Sequence, residues 1–136
     1  MKWICAASAA LAMAATAIPA QAAAIQDCPP PPGVTKVALP SGLPAALSDK
    51  MGDVALPGEP FNAIDVYIKG VPNRRYLYVW NTGNRWVVAM EQGGIALRAR
   101  VVVYDLSQDG KTATLIDNRM TSRGSVCAVA TKMAGR

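Results

Sequence analysis

From Phe61 to the C-terminus, runs of extended-forming residues are separated by only a few turn residues, and this spacing constrains the fold more than any other feature. The runs, rich in Val, Ile, Tyr and Trp, cover residues 64–69, 76–80, 86–92, 95–105, 112–119 and 125–132. Between them lie Val71-Pro72-Asn73, Asn81-Thr82-Gly83-Asn84, Gly93-Gly94, Asp109-Gly110 and Ser122-Arg123-Gly124. A parallel neighbour needs a crossover of a dozen or more residues, so such connections permit only antiparallel pairing. The pattern predicts a mainly β (β-rich α+β) domain over residues 61–136, an up-and-down antiparallel meander of about six strands. Unprotected sheet edges invite aggregation, so a strongly curled or barrel-like sheet is expected.

The N-terminus reads as an address. Lys2 is followed by an uncharged apolar stretch over residues 3–18, a helix-breaking Pro19 and the small-x-small site Ala20-Gln21-Ala22. This is the layout of a cleavable secretory signal over residues 1–22, predicting a periplasmic or secreted protein with no stable membrane span after cleavage. Of 136 residues, cleavage after residue 22 leaves 114, which suits one domain. It also removes Cys5, leaving Cys28 and Cys127 in an oxidising compartment, and the two are predicted to form a disulfide.

Residues 23–60 form a proline-rich N-terminal arm, with prolines at 29–32, 40, 44, 57 and 60. The 29–32 run is expected to be a polyproline-like strut. One short helix is predicted where Ser41 can cap and residues 44–51 run to Gly52, with Leu43, Leu47 and Met51 on one face.

The formal net charge is +5, unevenly spread. Residues 23–68 hold two lysines against five acids, net −3, whereas from Lys69 onward eleven basic residues face four acids, net +7. Such asymmetry suits an anionic partner. Export argues against nucleic acid, and the basic residues are spread singly along the strands.

Hairpin registers suggest where a partner would sit. A two-residue Gly93-Gly94 turn sets Met90 opposite Leu97, Val88 opposite Ala99 and Trp86 opposite Val101; a turn centred on Thr82-Gly83 sets Val79 opposite Trp86 and Leu77 opposite Val88. Together they predict a core face of Leu77, Val79, Trp86, Val88, Met90, Leu97, Ala99, Val101 and Val103. The other face carries Tyr76, Tyr78, Trp80, Arg85, Arg98, Arg100 and Tyr104, and is the predicted ligand-binding surface. Aromatic rings interleaved with guanidinium groups stack on flat or sugar-like groups and pair with anions.

Catalytic chemistry finds little support. The chain has no histidine, which removes the Ser-His-Asp triad, Cys-His pairs and histidine metal sites. Gly124-Ser125-Val126 lacks the second glycine of a nucleophile elbow. Glu91, Asp105 and Asp117 leave carboxylate hydrolysis formally open, with nothing to fix a pair. The segment from Asp105 to Gly110 resembles the opening of a calcium loop, but Ile116 stands where a bidentate glutamate belongs, and an Asp-Gly hairpin explains it without metal. No cofactor or metal site is predicted. The expectation is an exported, non-catalytic envelope protein that acts as a binding or interaction module for an anionic or glycan-like envelope component or another envelope protein. A structural accessory role without a ligand is the first alternative and a carboxylate hydrolase the second.

Overall fold

The structure, a computed structural model, describes residues 28–136; the predicted signal segment lies outside the described residues. Five antiparallel strands form one open sheet in sequential order: β1 (Thr35–Lys36), β2 (Arg74–Asn81), β3 (Arg85–Gln92), β4 (Arg98–Leu106) and β5 (Ala113–Thr121). Helix α1 (Ala45–Met51) precedes β2, and helix α2 (Val126–Ala134) follows β5 through a 3-10 turn, Arg123–Ser125. No described helix is long and apolar enough to cross a membrane.

The sheet is mainly antiparallel β as expected, but it is not closed, and two of the six predicted strands are absent. Residues 64–69 form a loop. Residues 125–132, expected as a strand, instead lie in the end of the 3-10 turn at Ser125 and in α2 from Val126. Val126, Ala130 and Met133 are its buried residues, spaced at helical period, and three alanines favour the helix. The fifth strand is instead the two-residue β1 inside the proline-rich arm. The α1 start also differs: it follows Pro44 with no side-chain cap, so Ser41 is not its N-cap.

The sheet is buried on both sides. Towards α2 it presents Tyr78, Trp80, Val87, Ala89, Ala99, Val101 and Val103, which pack with Cys28, Val126, Ala130 and Met133. Towards α1 and the arm it presents Tyr76, Val79, Val88, Met90, Val102 and Tyr104, which pack with Leu47 and Met51. Strands covered on both sides read as continuous apolar runs, and Val101-Val102-Val103-Tyr104 is one.

The predicted single core face therefore divides. The structure pairs Trp86 with Tyr104, Val88 with Val102 and Met90 with Arg100. Each β4 partner lies three residues beyond the predicted one, and an odd displacement turns the strand over. The cause is at Gly93, which does not sit in a two-residue turn. A Cβ there would fall 1.6 Å from the Asn62 carbonyl oxygen, so loop 93–97 is folded against residues 62–63. In β2 the displacement is two residues, with Val79 opposite Val88, which keeps the faces; a bulge between Tyr76 and Tyr78 then reverses them.

The arm closes the outer edge of β2. Thr35 and Lys36 pair with Asn81 and Trp80 at one end, and Ala55 makes a parallel bridge to Arg75 at the other. The Cys28–Cys127 disulfide, with Cα atoms 5.7 Å apart, ties the arm to α2 across 99 residues of sequence.

Candidate functional site

The seven predicted ligand residues do not share a surface. Alternation places Tyr78, Trp80 and Arg85 on the α2 side, and Tyr76, Arg98, Arg100 and Tyr104 on the opposite side. Tyr78 and Trp80 stack with ring centroids 4.8 Å apart at 22°, but both are fully covered. Burial pushes the Tyr78 phenol well above the usual tyrosine range and, less strongly, the Tyr76 phenol, which Arg74 partly offsets. Arg85 is committed to Asp105, its Nε donating to Oδ1 at 2.9 Å and Nη2 to Oδ2 at 3.2 Å. Arg100 Nε donates to Asn118 Oδ1 at 2.8 Å. An open aromatic and arginine platform is thus not what this sheet offers.

Of the seven, Tyr78 borders a cleft between the arm and β2, and Arg98 lines a second one at the end of the sheet. At the end of the sheet where β3, β4 and β5 meet loop 93–97 and the 3-10 turn, a cavity of about 510 Å3 is bounded by Ala96, Leu97, Arg98, Met120, Thr121, Ser122 and Arg123. Arg98 is exposed. Arg123 is held from behind by Glu91, its Nη2 donating to Oε1 at 2.9 Å, and its buried Nε has no partner among the described residues.

Glu91 explains this arrangement. It sits on the α2 side of β3 with only 1% of its side chain exposed, and an isolated carboxylate there would be costly. Arg75 donates to its other oxygen through Nε at 2.9 Å and Nη2 at 2.6 Å. Arg75 is itself fixed over the Phe61 ring at 4.4 Å and to the Glu59 carbonyl at 3.2 Å. Two guanidinium groups around one carboxylate leave a surplus positive charge beside the cleft, and Arg98 adds a second at its wall. Charge-assisted bonds from such groups are the strong ones for a carboxylate or phosphate.

The same end of the molecule is apolar at its tips. Ile95 is 99% exposed, and Ile64, Val66, Tyr67 and Ile68 are each more than half exposed. Their loop is held rigidly by the buried Asn62, whose Nδ2 donates to the carbonyls of Ile68 and Val71 and to Asn73 Oδ1, while its Oδ1 accepts from the Ile68 N–H.

The remaining carboxylates are occupied. Arg85, chiefly through its hydrogen bonds, holds Asp105 below the usual carboxylate range. Asp109 is lowered first by the Ser107 hydroxyl at 2.6 Å and then by the Lys111 N–H at 3.0 Å. Those contacts close the β4–β5 turn, with Gly110 at φ 71°, and account for the calcium-loop-like segment as a hairpin. Asp117 pairs with Arg119 at 3.2 Å.

No known protein family matches the chain, and no curated protein or solved structure was found similar to it. Sequence reading placed Arg123 in a turn and gave it no role, since nothing local to Ser122-Arg123-Gly124 shows that Glu91 lies behind it.

Proposed function

We propose that the protein is an exported, non-catalytic envelope module that binds an anionic amphiphile in the cleft at the loop end of its sheet. The observation that carries this reading is the pairing of two arginines, Arg98 and the Glu91-anchored Arg123, with apolar walls from Ala96, Leu97 and Met120 in a single cleft. The guanidinium groups suit an acidic headgroup, the apolar lining and the exposed Ile95 suit its hydrocarbon, and anchored side chains lose little freedom on binding. Stacking on a sugar ring loses its support, because the tyrosines and tryptophan meant to provide it are buried. The disulfide suits the oxidising compartment that the predicted signal implies.

The test is titration of the disulfide-bonded protein with vesicles of phosphatidylcholine, with and without phosphatidylglycerol, and separately with glycerol phosphate and glucuronate. Binding is expected to the acidic vesicles, to weaken with salt, and to fall at least tenfold in Arg98→Glu, a change at an exposed site that leaves the fold intact. Preference for soluble glucuronate would point to an acidic glycan. Absence of binding to every probe would favour the structural role, which the burial of both sheet faces also suits.

A further inference from the structure

The two edges of the sheet are treated differently. The outer edge of β2 is covered at both ends by the arm, whereas β5 is nine residues long, largely exposed, and paired on one side only among the described residues. Leu115, Ile116 and Met120 are all about half exposed along it. A long edge of this kind is a template for another strand.

We infer that β5 pairs with β5 of a second copy of this chain, antiparallel about a two-fold axis at Asn118, to form one continuous ten-stranded sheet. The backbone orientation fits. Asn118 donates its N–H to the side chain of Asp117 at 2.8 Å, not to β4, so its outward-facing backbone groups are the ones a neighbour would meet. Placing the axis there makes Asn118 a hydrogen-bonded pair with itself. Its flanking positions become non-hydrogen-bonded pairs, where side chains approach most closely.

The charges are self-complementary in that register. Asp117 falls opposite Arg119 of the second copy, and Arg119 opposite its Asp117, so the pair that each chain now makes within one strand at 3.2 Å is exchanged for two pairs across the interface. Met120 falls opposite the exposed Ile116. Moving the axis by one residue, to Asp117 or to Arg119, would instead set like charges opposite each other, which selects the register. The bulge at Ile116, between the Val103 and Tyr104 pairings, ends the regular segment and limits the interface to the C-terminal half of β5. So short an edge gives a concentration-dependent dimer and not an obligate one. Met120 and Thr121 also line the anion cleft, so the association is measured with no anionic ligand present.

The experiment is sedimentation equilibrium of the disulfide-bonded protein over a concentration series. The weight-average mass should rise from the monomer towards twice that value. Asn118→Pro removes the outward N–H together with the side-chain acceptor of Arg100, and Arg119→Asp sets acid against acid; each should hold the mass at the monomer. Combining Asp117→Arg with Arg119→Asp restores complementarity and should restore the rise, which a merely unfolded variant would not do. A wild-type mass that stays monomeric throughout, or self-association that all three variants leave unchanged, overturns the inference.

Discussion

Trp80 and Trp86 show how far single residues could be read. Both sheet registers placed them on opposite faces of the β2–β3 hairpin, and they do pack in different cores. Their depths are reversed, because the face taken for solvent is covered by α2: Trp80 is completely buried and Trp86 only half so. Trp80→Ala should therefore cost about 3–5 kcal/mol as a large-to-small core change. Trp86→Ala should cost distinctly less, as read by denaturant unfolding of both. Tyr78 makes a sharper case. Its hydroxyl is buried without a partner among the described residues, and its folded-state pKa is raised above the unfolded value by burial. The unfolded chain then releases this proton first, so the contribution of Tyr78 is intact below about pH 10 and lost as pH rises beyond it. Tyr78→Phe should leave stability at pH 7 unchanged or slightly higher and flatten the alkaline fall of the melting temperature. A loss at pH 7 would mean that the hydroxyl has a partner.

At the scale of elements, antiparallel connectivity was legible because short turns admit nothing else. Register was not. The Gly93-Gly94 pair has the composition of a two-residue hairpin turn, and only the distant Asn62, pressed against Gly93, shows why it makes a longer loop. Gly93→Ala should displace loop 62–73 and cost well above the roughly 1 kcal/mol typical of point substitutions. Gly94→Ala meets no atom within 4 Å and should act only through its positive φ of 145°. The C-terminal helix was missed for a different reason. Val126, Cys127, Val129 and Thr131 favour strands locally, and the buried spacing of Val126, Ala130 and Met133 becomes decisive only once a sheet is available to receive them.

For the whole molecule, the Cys28–Cys127 disulfide was readable from cysteine arithmetic, whereas the candidate cleft was not, since Glu91, Arg98 and Arg123 converge from two strands and a turn. The disulfide closes a loop with a sequence separation of 99, and replacing both cysteines with serine should lower stability by up to about 4.7 kcal/mol, measured against the oxidised protein. It also fixes α2 over the aromatic pair, which is why the accessible chemistry lies at the end of the sheet and not on its face. The most direct test of that claim is an amide chemical-shift map of the oxidised protein titrated with micelles of a short-chain phosphatidylglycerol. Saturable shifts confined to residues 95–98 and 120–123 are predicted; shifts centred on Tyr78, Trp80 and Arg85 beneath α2, with the cleft silent, would contradict it.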